Sequence, residues 1–317
     1  MPFCLDGAVR GRLQVSYDKA NESMVELKSE FKALTDAISD LSKELSKGLK
    51  PSKLPAQTPT APTESNAFVL DAETQSLRNV ERISAPPLDL LKGIDRAKQT
   101  LLDNTLRFAN GYSANNALLW GARGMGKSTL VKSIHLHLQK THKTPTSLVE
   151  IHREDISALP RLLLTLKDMP GHIIIFCDDL SFNRPDSDFK ALKSVLEGGL
   201  EGRPENVLFY ATSNRRHLLP RQMMDQEKAT GIHPNESMDE TIALSDRFGL
   251  WLGFHACDQD DYLSMITDYM LALDLVSEND WTPDALEWAK TRGNRSGRTA
   301  WQFVQHLAGT MDKNVRF

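Results

Sequence analysis

The residues Gly121-Ala122-Arg123-Gly124-Met125-Gly126-Lys127-Ser128 fit the pattern G-x-x-x-x-G-K-[ST] and stand between an apolar run and a helix-like run. Before them, Asn116-Ala117-Leu118-Leu119-Trp120 reads as a buried strand. After them, Thr129-Leu130-Val131-Lys132-Ser133-Ile134 begins a helix. Strand, glycine-rich loop and helix in that order converge successive backbone N–H groups on an anion, and the helix N-terminus adds its partial positive charge. Gly121 to Thr129 are therefore expected to cradle the phosphates of a nucleotide. Lys127 is expected to reach the β- and γ-phosphates, and Ser128 to offer its hydroxyl to Mg²⁺, a hard cation that prefers oxygen ligands. The bland reading, a Gly-rich turn that binds nothing, is opposed by the strand and helix on either side.

A chain of 317 residues has room for about two domains. Its formal net charge of -4 gives no global reason for tight binding to nucleic acid or to an anionic membrane. Local clusters at Arg215-Arg216-His217 and at Arg292, Arg295 and Arg298 leave DNA as a less favoured partner. Cys4, Cys177 and Cys257 are odd in number and lack metal-ligand spacing, which argues for reduced thiols in a cytoplasmic setting. No apolar run reaches the length of a membrane span, and residues 1–12 lack the apolar core of a signal peptide, so no membrane partner is expected.

From Leu13 to Leu45 apolar residues recur at alternating spacings of four and three, with Ser, Glu, Lys and Asp between them. This heptad pattern predicts an N-terminal helix over 1–47 roughly 50 Å long with one apolar seam that a partner must cover. The seam could lie on the chain's own body or form a coiled coil with another copy or another protein. Residues 48–67 carry Pro51, Pro55, Pro59 and Pro62 among Ser, Thr and Lys and are expected to be a disordered linker. Over 68–256 helices alternate with short apolar strands, the signature of an α/β domain with a parallel sheet. Over 257–317 only helices are predicted, which suggests a small helical domain. Residues 218–240 read as an insertion.

His172-Ile173-Ile174-Ile175-Phe176-Cys177-Asp178-Asp179 is an apolar run ending in two acids, as expected of a central strand that meets a ligand crevice. Asp178 is the candidate to hold Mg²⁺ through water, and Asp179 to polarise the attacking water. Val207 to Ser213 is a further strand, followed by Asn214, either a water-orienting amide or a turn former. Arg247 precedes the apolar run from Leu250, and Arg298 opens the last helix after Gly297.

The order of phosphate loop, apolar strand with paired acids, strand ending in Asn, Asp246-Arg247-Phe248-Gly249, and Gly297-Arg298 at a late helix resembles an AAA+ ATPase. More narrowly, Cys177-Asp178-Asp179-Leu180-Ser181-Phe182, the segment Ala191 to Leu200, and Tyr210 to His217 resemble an uncharacterised bacterial family of AAA+ ATPases. The resemblance implies a five-stranded parallel sheet with helices on both faces, a helical lid, nucleotide at the seam, and a ring or partial ring of copies. It makes Asn214 sensor 1, Arg298 rather than Arg295 sensor 2, and Arg247 the candidate finger supplied to a neighbouring copy. On its residues alone Arg247 could equally be half of an ion pair. Many such proteins have Glu where Asp179 stands; the shorter side chain withdraws the carboxylate by roughly 1 to 1.5 Å, and misplacement of that order slows reactions about a hundredfold. Asp186 and Asp188 are substitutes for it.

The expectation is thus an ATPase with bound ATP and Mg²⁺ that remodels or assembles a protein partner, with the heptad helix as the contact to a client or adaptor. Two rivals are a slow nucleotide-dependent adaptor or switch, and an ATP-dependent loader or regulator on DNA.

Overall fold

A computed structural model of the chain describes residues 66–142, 146–182, 187–198, 203–218, 244 and 246–317, with Lys32 alone before them. The heptad helix, the linker up to residue 65, Asp186 and residues 219–240 lie outside the described residues.

Strands β1 (Ala67–Asp71), β2 (Ser76–Val80), β3 (Ala117–Gly121), β4 (Thr146–Ile151), β5 (His172–Cys177), β6 (Val207–Ser213) and β7 (Leu250–Phe254) form one sheet in the order β2-β1-β4-β5-β6-β3-β7. Only β2 runs antiparallel to its neighbour. The expected five strands are thus seven. The difference is a hairpin, β1–β2, that lies directly after the proline-rich run and takes Ala67 out of the segment read as linker. Its turn is set by Asp71, whose carboxylate accepts the N–H groups of Glu73 and Thr74, both at 3.1 Å. Ala67, Phe68 and Val69 then pair with Leu148, Val149 and Glu150 of β4. Ala67 and Leu70 are buried, while β2 stays half exposed and polar, as suits an edge strand.

The central strands divide the core in two. In β5, Ile174 and Phe176 enter one apolar cluster, while Ile173, Ile175 and Cys177 enter the other. In β6, Leu208 and Tyr210 face the first cluster, and Val207, Phe209 and Ala211 the second. Side chains alternate across a strand, so a continuous apolar run is what a strand covered on both faces requires. The second face is covered by α3 (Leu159–Lys167) and α4 (Ser187–Glu197), through Leu162, Leu166, Phe189 and Leu192. The first is covered by α1 (Asp95–Ala109) and α2 (Lys127–Thr141).

Three further helices, α5 (Gln259–Ala272), α6 (Thr282–Thr291) and α7 (Gly297–Thr310), follow β7. Asp258 starts α5 by accepting the Asp261 N–H at 2.8 Å, and Ser296 starts α7 by accepting the Thr299 N–H at 3.2 Å. Tyr262, Ile266, Ala285, Ala300 and Val304 from these helices join the same apolar cluster as α1 and α2. No helix among the described residues is long and apolar enough to cross a membrane.

Candidate functional site

β3 delivers the chain to the phosphate loop and α2 carries it away. At Gly121, φ is +130° and a Cβ would lie 2.0 Å from the carbonyl oxygen of Phe254 at the end of β7. That carbonyl accepts the Ala122 N–H at 2.8 Å, so the loop is tied to the neighbouring strand where only glycine fits.

On its other side the loop meets the helical segment. The Arg298 N–H, in the first turn of α7, donates to the Gly124 carbonyl at 3.0 Å. A Cβ at Gly124 would stand 2.7 Å from Ser296 Oγ and 3.2 Å from Arg298 Cβ, at a φ of +76°. Gly124→Ala is therefore expected to push the start of α7 off the loop and to weaken ATP binding about tenfold by calorimetric titration. Wild-type affinity in that variant would mean that the contact between α7 and the loop does not matter to the ligand.

Lys127 is 6% exposed, and its ammonium donates to the carbonyls of Gly121 (2.9 Å) and Ala122 (2.8 Å) and to Asn214 Oδ1 (3.1 Å). Burial lowers its pKa from the ordinary lysine value, and the carboxylates of Asp178 and Asp179 oppose that shift. A buried ammonium held by neutral carbonyls is well prepared to exchange them for phosphate oxygens.

Asp178 Oδ1, just past β5, accepts from Ser128 Oγ and Thr212 Oγ1, each at 2.5 Å, and from the Asp179 N–H at 3.1 Å. The hydroxyl of Ser128 and the carboxylate of Asp178 are oxygen donors beside the phosphate loop. They fit Mg²⁺, which takes one or two protein ligands and fills its remaining positions with water and phosphate oxygens. Among the described residues no group of three or more His, Cys, Asp or Glu side chains is placed to hold a metal alone.

Asp179 takes a φ of +52°, and its N–H also donates to Thr212 Oγ1 at 3.0 Å. Its own Oδ1 accepts from Asn214 Nδ2 at 2.6 Å. Asn214 thus links Lys127 to Asp179 through the two ends of one amide. Thr212 is a member of this group that sequence reasoning missed, since its hydroxyl meets Asp178 and the Asp179 N–H only through the pairing of β6 with β5.

These residues line a cavity of about 620 Å³ whose wall has two chemical characters. One part carries Arg123 to Thr129, Asp178, Asp179, Asn214 and Arg298. The apolar and aromatic part of the lining comprises Met265, Tyr269, Trp301 and Phe317 with Ala85 and Pro86. Of the two arginines weighed for the start of α7, Arg298 lines this cavity, whereas Arg295 donates to Gln259 at 3.4 Å.

Arg247 does not line it. Its guanidinium is in an ion pair with Glu197, the last residue of α4. Asp188 lies in the first turn of that helix. Of the basic clusters, Arg216 lies over the Trp120 ring at 5.3 Å, Arg292 lies over the Trp288 ring at 3.4 Å, and Arg298 lines the cavity.

A phosphate loop, an acid-tipped strand and a polar strand end under a helical segment, on a mostly parallel sheet, define the AAA+ class of P-loop proteins. Residues 63–311 match the family described as "Protein of unknown function (DUF815)", and the chain belongs to that family. Among curated proteins none matches the sequence. Among solved structures, the ORC1 protein of Aeropyrum pernix, in complex with DNA, is similar at a TM-score of 0.50 and 15% identity, over 73% of this chain and 66% of that one. Domain III of the Thermotoga maritima replication initiation protein DnaA gives 0.48 at 13%, over 74% and 94%. The Thermotoga maritima RuvB Holliday junction branch migration motor gives 0.44 at 15%, over 70% and 65%. The chain spans slightly less than two thirds of the ORC1 and RuvB chains it matches. At these identities the likeness is one of fold.

Proposed function

We propose that the protein binds ATP with Mg²⁺ in this cavity and hydrolyses it at a site shared between two copies, using the cycle to remodel or assemble a protein partner. The observation that carries this reading is the unbroken path Lys127–Asn214–Asp179 beside the Ser128–Asp178 pair. Lys127 binds the β- and γ-phosphates, Asn214 holds the attacking water in line, and Asp179 draws its proton. Bound Mg²⁺ supplies charge neutralisation on the phosphates.

The backbone at residue 179 supports an aspartate in that role. Asp and Asn enter the left-handed region more readily than other side chains, so the φ of +52° suits Asp179 although it is shorter than Glu. Arg247, outside the cavity of its own chain, becomes the finger for a second copy, which makes a homo-oligomer, as a ring or partial ring, part of the proposal. The N-terminal heptad helix is the proposed contact to client or adaptor.

The test is steady-state ATP hydrolysis per chain as the protein's own concentration is raised. Specific activity that rises and then saturates supports the shared site. Constant, substantial activity down to dilutions where the protein is monomeric rules it out. A second reading, a slow switch in which ATP drives assembly, is favoured by the 2.6 Å bond that already engages the Asp179 carboxylate. It predicts ATP-induced assembly with little turnover.

A further inference from the structure

The chain does not leave the molecule after α7. Asp312 takes a φ of +56°, the Lys313 N–H donates to Ala308 O at 2.9 Å, and Lys313 Nζ donates to Asp274 O at 2.8 Å. Residues 311–317 thereby turn back as a strap, with Val315 and Phe317 packed against the core. The ring of Phe317 lies 4.7 Å from that of Trp301, tilted by 36°, and 5.9 Å from that of Tyr269. Tyr269 and Trp301 meet edge to face at 5.5 Å. All three rings line the cavity that holds the phosphate loop.

The strap also reaches residues 84–86, which line the same cavity. Ser84 Oγ donates to Phe317 O at 3.4 Å, and two residues later the Pro86 carbonyl accepts from Ser133 Oγ of α2 at 2.7 Å. The wall of residues 84–86 is thus fastened to the helix that begins with Lys127, while the strap is fastened to α5 and α7. Phe317 joins the two. An aromatic shelf at the apolar end of a cavity whose polar end suits polyphosphate matches a ligand with a flat heteroaromatic base.

We propose that Phe317 is a specificity-determining residue: with Trp301 and Tyr269 it forms a stacking wall that selects purine over pyrimidine nucleoside triphosphates, and the strap carrying it retains the bound nucleotide. This rests on the reading of the cavity as a nucleotide site. The phosphates supply affinity common to all nucleotides, and the area of the stacked base supplies the difference. Among the described residues the strap meets the 84–86 segment through one long, exposed hydroxyl bond, so it can lift for exchange without breaking a buried polar network there.

Calorimetric titration of the full chain with ATP, UTP and inorganic tripolyphosphate, each with Mg²⁺, tests the assignment. The wild type is expected to prefer ATP over UTP by about tenfold, and Phe317→Ala to lose about tenfold for ATP with tripolyphosphate unchanged. Phe317→Tyr should restore the preference. An unaltered ATP-to-UTP ratio in Phe317→Ala overturns the proposal, as does an equal loss for ATP and tripolyphosphate, which would make Phe317 a prop for the fold. If the wild type binds none of the three ligands, the nucleotide reading itself falls, and the strap's role with it.

Discussion

Replacing Asp179 with Asn is expected to lower ATP turnover by about 10² to 10⁴, the usual contribution of a positioned general base, while leaving ATP affinity within about threefold. The separation of the two effects follows from the geometry. Asp179 bonds to Asn214 and, through its backbone, to Thr212 and Asp178, whereas in the proposed site the phosphates are held by Lys127 and the loop glycines without it. An Asn side chain keeps the shape and tolerates the φ of +52°, so the fold should survive. Single-turnover hydrolysis with equilibrium binding alongside decides the matter. Undiminished turnover in Asp179→Asn would remove Asp179 from the chemistry and point to Asp186 or Asp188.

A larger effect is expected at Arg247. If it serves a second copy's phosphates, Arg247→Ala lowers turnover by about 10³ or more. The distinguishing result comes from mixing. Lys127→Ala lacks phosphate binding but retains its arginine; Arg247→Ala retains its loop. Each alone should be inactive, and a mixture should regain part of the activity, because one variant completes the other's site. The alternative, a structural ion pair, has the Glu197 contact in its favour. Both side chains of that pair are partly exposed, 30% and 37%, so it is worth at most about 1 kcal/mol. In that case Arg247→Ala would melt slightly earlier and hydrolyse ATP at the normal rate.

The parts of the site legible in the sequence are those whose chemistry is written in neighbouring residues. The loop needs its glycines and lysine at fixed spacing, and a strand covered on both faces must be apolar until it meets its ligand, so Gly121 to Ser128 and His172 to Asp179 announced themselves. Asn214 and Arg298 could be ranked because each opens or closes an element. Thr212 could not, since its value lies in reaching both Asp178 and the Asp179 N–H, a meeting made by strand pairing. The aromatic shelf was hidden for a different reason. Tyr269, Trp301 and Phe317 sit on two helices and a strap, and at helical spacing an aromatic reads as core. The hairpin β1–β2 escaped because Pro and Thr dominate the residues before it. The heptad helix and the 218–240 insertion, apart from Leu218, lie outside the described residues.

The placement of α5 to α7 limits how nucleotide chemistry can be turned into movement. Their apolar residues belong to the same continuous cluster as α1, α2 and the facing side of the sheet. A door swinging on a hinge would have to expose that surface to water, at a cost far above what one differential phosphate contact returns. Movement between packed helices instead takes the form of shear, with side chains slipping past one another by small steps while staying in contact. On the proposed cycle the stroke of each copy would accordingly be short, and a long displacement would have to be assembled from several copies in register.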